Sequence, residues 1–227
     1  MTTRREFLAI SAAAALVRPG FSFDQGESGS ALATGALKPL KYEELKGFLS
    51  KDQLAAHHGA HYGGAVKSVV QIETELETAD RSKANANYSV FRELKREQVS
   101  AMNSVILHEL YFDGLSPATT EPTEPARDVL KKRFGSLDRW LEDFKAAATA
   151  ARGWAVLAFQ PANGRLYNVV SDAHDAGPMV LGIPIVVIDC YEHAFYMDYR
   201  NKKGDYIAAY PKFIDWGEVE RRIKTLK

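Results

Sequence analysis

The spacing of apolar residues changes once along the chain, and this change limits the folds open to it. Up to about residue 151 apolar residues recur every three or four positions, which is typical of amphipathic helices. Beyond that point three short segments alternate or are apolar throughout, which predicts strands at Trp154–Gln160, Arg165–Ser171 and Ile183–Asp189. An Asn-Gly pair between the first two predicts a hairpin turn. Because helices precede strands rather than alternate with them, we predict an α+β fold with a three-stranded antiparallel sheet.

Two long helices are predicted in the first half of the chain. One begins at Ser50, a suitable capping residue, and extends to about Leu76, and the other covers about residues 91–110. The polar stretch between them predicts a turn, so the two helices should form an antiparallel hairpin. A proline-rich segment then predicts a boundary between an N-terminal hairpin domain, 34–118, and a C-terminal α/β domain, 119–227.

The counts of charged residues and of cysteine exclude several classes of function. Lys plus Arg and Asp plus Glu both number 29, so the formal net charge is zero. No basic excess is available for binding nucleic acid or an anionic membrane. The single cysteine, Cys190, can form neither an internal disulfide nor a thiolate metal cluster. We therefore expect the chemistry of this chain to depend on histidines and carboxylates.

Residues 1–33 are similar to an export signal. Arg4 and Arg5 precede an apolar run at residues 7–17, which is shorter than the ~20 residues that a membrane span needs. The residues around the arginine pair resemble the twin-arginine motif, which an export receptor reads and which serves proteins that are already folded. We expect cleavage after Ala33 and a periplasmic or extracellular mature protein without a membrane anchor.

Three histidines and an aspartate lie where the predicted elements can bring them together. Asp189 ends the third predicted strand, and His193 follows four positions later, within reach of the same point if the chain turns helically. His57 and His108 lie on otherwise apolar faces of the two long helices. Each histidine alone could be a hydrogen-bonded core residue. Together with a carboxylate and without thiolate, they form a ligand set that suits iron, manganese or zinc.

Residues 37–223 resemble the iron/manganese superoxide dismutase family in several motifs that occur in the same order. The segment DCYEHAFYMDY is similar to the family's signature D-x-W-E-H-A-Y-Y, KDQLAAHHGAHYGG to its first ligand helix, and NSVILHELYFDGL to its second ligand region. The resemblance implies a helical hairpin followed by an α/β domain with three antiparallel strands. It also implies one iron or manganese ion per subunit and the conversion of superoxide into oxygen and hydrogen peroxide.

The resemblance further implies roles for individual residues. The metal ligands would be His57, His108, Asp189 and His193. The protein would form a homodimer in which Glu192 reaches a ligand histidine of the partner, and His61 and Tyr196 form a pair at the interface. Trp154 would form a wall of the metal pocket.

Several residues around the implied ligands differ from the family's usual pattern. Ala65 replaces a tyrosine at the substrate entrance, and Ser104 occupies one of two positions that usually carry a glutamine beside metal-bound solvent. The other position falls on Asp175, next to His174. We expect the side chain of His174 to contact the metal-bound solvent, with Asp175 as the alternative. An imidazole can donate a hydrogen bond to this solvent, whereas a carboxylate would repel superoxide. A metal-binding protein with low or altered redox activity, or an enzyme acting on peroxide or another small oxidant, stays open as an alternative.

Overall fold

The computed structural model describes residues 29–118, 120–175 and 180–226. A hairpin of two long helices forms the first half, and a three-stranded antiparallel sheet with helices packed against it forms the second. The α+β fold predicted from the sequence is confirmed. Most of the predicted leader, including the arginine pair, lies outside the described residues.

A short helix precedes the hairpin. It is α1 (Ala31–Thr34), capped by Ser30, and it contacts both helices of the hairpin. Ala31 is only 3% exposed. The last residues of the predicted leader therefore belong to an element that packs against the folded protein.

The first long helix changes geometry where its histidines lie. It begins as α2 (Lys51–Ala56), passes through a π-helical segment (His57–Tyr62) and continues as α3 (Gly63–Thr78). The hydroxyl of Ser50 accepts a hydrogen bond from the Gln53 N–H at 3.2 Å, as expected of a capping serine. Nothing in the sequence pattern indicated the π-helix. This geometry is rare in proteins, and where it occurs it is often found at functional sites.

The second long helix, α4 (Val90–Asp113), packs beside α3 and begins at the capping residue Ser89. It extends three residues beyond the predicted end at residue 110. Its C-terminal part, from Leu107 to Phe112, is buried, and this buried part includes His108. No helix among the described residues is both long enough and apolar enough to cross a membrane.

The sheet has the strands expected from the alternating pattern: β1 (Trp154–Gln160), β2 (Arg165–Ser171) and β3 (Ile183–Asp189). Their order is β2-β1-β3, so β1 is central. The other α-helices of the described residues are α5 (Glu124–Phe134), α6 (Leu137–Ala150), α7 (Tyr196–Tyr199), α8 (Lys203–Ala209) and α9 (Trp216–Lys224), and a short 3-10 helix at Glu192–Ala194 follows β3.

The strand register brings three chain segments to one edge of the sheet. Trp154, the first residue of β1, pairs with Ser171 at the end of β2 and with Asp189 at the end of β3. The loop that follows β2 and the turn that follows β3 therefore start side by side. This edge faces α4, which makes contacts with β3.

Candidate metal centre

Four side chains from three parts of the fold converge between the hairpin and this edge of the sheet. They are His57, His108, Asp189 and His193, and one ligand-type atom from each lies within 4.8 Å of the others. The Nε2 atoms of the histidines lie 3.0 Å (His57), 3.3 Å (His193) and 3.7 Å (His108) from Oδ2 of Asp189. Metal–ligand bonds of about 2.0–2.2 Å place neighbouring ligand atoms about 3–4 Å apart, so this spacing suits a single ion.

Burial sets the charge of these groups. His57 and Asp189 are fully buried and His108 is 1% exposed. Burial lowers the pKa of His57 and lowers that of His108 to about 3, which keeps both rings neutral. Burial acts to raise the pKa of Asp189, but its contacts with His193 and His57 outweigh this and hold that pKa well below its usual value. Neutral imidazoles and an ionised carboxylate are the forms that bind metals.

Among the described residues, three buried ring nitrogens of the histidines have no hydrogen-bond partner: Nδ1 of His57, Nε2 of His108 and Nε2 of His193. The Nδ1–H of His108 donates to the backbone carbonyl of Ser104 at 2.7 Å, so its Nε2 carries a lone pair. Nε2 of His108 and Nε2 of His193 are buried and have no hydrogen-bond partner among the described residues. Buried polar atoms are rarely left unpaired. An ion bound beside Oδ2 of Asp189 would account for the Nε2 atoms of His108 and His193, so the residues present fit a metal site.

Aromatic rings enclose the four side chains. The indole of Trp154 meets the ring of His108 edge-on with 5.0 Å between centroids, as expected of a wall of the pocket. The ring of Tyr191 stacks on that of His193 with 5.1 Å between centroids, and the ring centroid of Phe112 lies 4.9 Å from that of His57. These contacts restrict the rotation of the imidazole rings, so the rings are held in place by packing as well as by hydrogen bonds.

His174 lies at the edge of this cluster. Its Nδ1 accepts a hydrogen bond from the indole N–H of Trp154 at 3.1 Å, and its ring centroid lies 6.2 Å from that of His108. Because an indole nitrogen can only donate, the neutral ring of His174 carries its proton on Nε2. Burial lowers the pKa of His174, which favours this neutral form. The backbone carbonyl of His174 accepts a hydrogen bond from Nδ2 of Asn103 at 2.9 Å.

Asp175 lies in a different part of the surface. It is exposed and lines a groove with Arg92, Lys95 and Arg96. His174 instead lines a separate cleft together with His61 and Ser104, which contact the proposed ligands His193 and His108. His174, which the sequence analysis favours, and Asp175, its alternative, therefore line different cavities.

The cleft beside the cluster has a volume of about 610 Å³. His61, Ala65 and Ser104 line it together with His174. The ring of His61 stacks on that of His193 with 3.8 Å between centroids. At this position Ala65 lines the cleft with only a methyl group.

The residues expected at a dimer interface lie on the surface of the chain. His61 and Glu192 are exposed, and Tyr196 is 48% exposed beside the similarly exposed Met197. A single chain contains no contact between subunits, so the pairing of His61 with Tyr196 across an interface stays a prediction.

One residue that positions the site was missed in the sequence. Gln53 is fully buried in α2, and its Nε2 donates to the backbone carbonyl of His193 at 2.6 Å. Its Oε1 accepts from the backbone N–H of Met197 at 3.0 Å. Gln53 thus fastens the turn that carries His193 to the helix that leads into His57. Its partners are backbone atoms distant in sequence, so no local pattern could identify it.

Comparisons with known proteins agree with this geometry. Residues 122–222 match the family model for iron/manganese superoxide dismutases, C-terminal domain. The chain is 43% identical over 189 residues to an iron superoxide dismutase of Aquifex aeolicus, which covers 82% of this chain and 88% of that protein. It is 35% identical over 190 residues to an iron superoxide dismutase of Cupriavidus metallidurans, covering 82% and 94%. It is 32% identical over 186 residues to manganese superoxide dismutase 2 of Haloferax volcanii, covering 81% and 92%.

Proposed function

The chain belongs to the iron/manganese superoxide dismutase family, and we propose that it is an exported superoxide dismutase with one iron or manganese ion per subunit. The proposed ligands are His57, His108, Asp189 and His193. The observation that carries the assignment is the approach of three Nε2 atoms to Oδ2 of Asp189, two of them without another partner among the described residues. Two superoxide anions and two protons give one oxygen and one hydrogen peroxide. An iron or manganese ion held by these four residues would supply the one-electron transfers between the two superoxide anions.

The charge of the ligand set suits an anionic substrate. Asp189 contributes one negative charge, and the three imidazoles are neutral when they bind a metal. With a divalent or trivalent ion the pocket therefore carries a net positive charge, which attracts superoxide. We infer that superoxide approaches through the cleft lined by His61 and Ala65, because His61 stacks on the proposed ligand His193.

We propose that His174 donates a hydrogen bond towards the metal-ligand cluster. The Trp154 indole holds its Nδ1, so the Nε2–H is the free donor of the neutral ring. Asp175 lines the groove with Arg92 and Lys95 instead, which argues against it in this role. A donor at this place sets the protonation of the reacting oxygen atoms and tunes the reduction potential of the ion.

We further propose that two copies of the chain associate over the surface that includes Glu192, His61 and Tyr196. Two observations support this surface. His61 is exposed yet stacks on His193, and the neighbouring Tyr196 and Met197 leave large side chains in solvent. A second copy would cover these side chains and would close the exposed side of His193.

Export rests on the sequence of residues 1–33 and on the chemistry of the site. Twin-arginine export carries folded proteins, so the ion can be inserted before the protein leaves the cytoplasm. Cys190 is a free, buried thiol and the only cysteine of the sequence, so the chain has no internal disulfide that would need an oxidising compartment. Metal loading before export is therefore the reason we propose for this route.

One purified sample tests the activity. We expect about one iron or manganese ion per chain and removal of superoxide with release of hydrogen peroxide, both measured on the same preparation. A fully loaded protein that leaves superoxide unchanged would instead be a metal-binding protein of this fold. Consumption of peroxide without removal of superoxide would indicate the redox enzyme that the sequence left open.

A further inference from the structure

Glu109, the residue after the ligand His108, has a buried carboxylate next to the metal-ligand cluster. It is 3% exposed, and its Oε1 accepts two hydrogen bonds. One comes from the hydroxyl of Tyr62 at 2.8 Å and the other from the backbone N–H of Ala31 at 2.8 Å. A buried carboxylate depends strongly on such donors, because burial removes the water that would otherwise solvate it.

The N–H of Ala31 is presented to Glu109 by the start of α1. The carbonyl of Ser30 accepts from the Ala33 N–H at 2.9 Å, and the Ser30 hydroxyl accepts from the Leu32 N–H at 3.2 Å. These bonds hold the first turn of α1. Removal of Ser30 would break both of them and would leave Ala31 without its fixed orientation.

The chain is fastened a second time at Lys38. Its backbone N–H donates to the Tyr62 hydroxyl at 3.1 Å, and its carbonyl accepts from Nε2 of His58 at 2.7 Å. Its ammonium group pairs with Asp113 at 2.7 Å. Residues 30–38, here called the strap, are thus bound to both helices that carry the proposed ligands His57 and His108.

We propose that the strap is part of the mature protein and that the leader is removed upstream of Ser30, not after Ala33. Cleavage after Ala33 would delete most of α1 and leave the buried carboxylate of Glu109 with one donor. Removing one partner of a buried charged group is strongly destabilising. The triplet Gly26-Glu27-Ser28 offers a small-x-small sequence upstream.

The strap also acts on the metal site. Tyr62 ends the π-helical segment that begins with His57, and Glu109 adjoins His108 on α4. The Tyr62–Glu109 hydrogen bond joins these two helices, and the backbone N–H of Ala31 donates to the same oxygen of Glu109. We therefore expect loss of the strap to weaken metal retention as well as the fold.

The proposed cleavage site depends on the proposed export. It is tested by expressing the full chain in a bacterium and measuring the intact mass of the secreted protein. We expect a first residue at or before Ser30. A first residue at Ala31 or later would overturn the proposal. If no protein is secreted, the export proposal fails, and the strap is still tested by proteins made without a leader.

In that second experiment, chains that start at Gly29 and at Thr34 are compared by thermal unfolding and by iron or manganese retention against a chelator. We expect the chain starting at Thr34 to unfold at least about 5 °C lower and to lose its ion faster. Equal unfolding temperatures and equal retention would overturn the role of the strap. Glu109→Gln should recover part of the loss in the chain starting at Thr34, because it removes the unpaired charge.

A single substitution covers the case in which the shorter chain does not fold. Ala31→Pro replaces the N–H that Glu109 accepts with a ring carbon, so it breaks this hydrogen bond and crowds the carboxylate, and proline is tolerated at the first position of a helix. Ala31→Gly keeps this N–H and serves as the matched control. We expect a lower unfolding temperature for Ala31→Pro than for Ala31→Gly, whereas equal values would overturn the proposal.

Discussion

The indole N–H of Trp154 donates to Nδ1 of His174 across 3.1 Å, and this bond determines which nitrogen of His174 carries the proton. The sheet makes the contact possible. Trp154 begins β1 opposite Ser171, the last residue of β2, so the loop after β2 passes directly beside the indole. His174 is thereby held with its Nε2–H as a donor at the edge of the metal-ligand cluster.

The first prediction concerns this donor. We expect His174→Gln to retain bound metal while shifting the reduction potential of the ion and changing dismutase activity several-fold, because glutamine donates from a different position. Redox titration and a superoxide-removal assay on the metal-loaded protein measure both effects. His174→Ala should change both quantities as well, since it removes the donor.

Two control variants separate the role of His174 from simple packing. Trp154→Phe keeps an aromatic ring against His108 but removes the N–H that orients His174, so the reduction potential should move without loss of metal. Asp175→Asn should have little effect, because Asp175 lines a different groove. Unaltered activity and potential in His174→Ala would refute the assignment and make Asp175 the candidate.

The second prediction concerns the ligand set. His193→Ala removes one of the four proposed ligands, and we expect the protein to be purified without a bound ion. It should also unfold at a lower temperature than the metal-loaded parent, because an ion that binds only to the folded protein stabilises the folded state. Elemental analysis and thermal unfolding measure the two effects. Full occupancy in this variant would contradict the ligand assignment.

Local patterns in the sequence predicted the elements that hold the site, but not its finer geometry. The strands end at Ser171 and Asp189 as expected, because alternation and a turn signal depend only on neighbouring residues. The π-helix was not predicted, since it keeps its histidines close to helical spacing. The separation of His174 from Asp175 depends on the path of one loop across the sheet edge, which neighbouring residues do not determine.

The third prediction concerns export. Changing Arg4 and Arg5 together to Lys keeps the charge of the leader but removes the arginine pair that the receptor reads. We expect the precursor to stay in the cytoplasm with its leader uncleaved, as measured by fractionation and intact mass. A conservative change elsewhere in the leader, Thr2→Ser, serves as the control. Normal secretion of the double variant would indicate another route.

The last prediction concerns Gln53, which joins α2 to the turn that carries His193. Its amide donates to the His193 carbonyl at 2.6 Å and accepts from the Met197 N–H at 3.0 Å. Gln53→Leu has a similar volume but leaves both backbone groups without their partner, so we expect a loss of about 1–3 kcal/mol in the free energy of unfolding. Because the displaced turn carries a proposed ligand, the variant should also release its ion faster.

Denaturant unfolding and chelator competition measure these two effects of the Gln53 substitution. Asp52→Asn, at an exposed neighbouring position, should leave both quantities near those of the parent. Gln53→Glu keeps an acceptor for the Met197 N–H, but it replaces the donor to His193 with a carboxylate oxygen that repels the His193 carbonyl. If Gln53 positions His193 through that donor, ion release in Gln53→Glu should approach that of Gln53→Leu. Release as slow as in the parent would show that the bond to His193 does not hold the site.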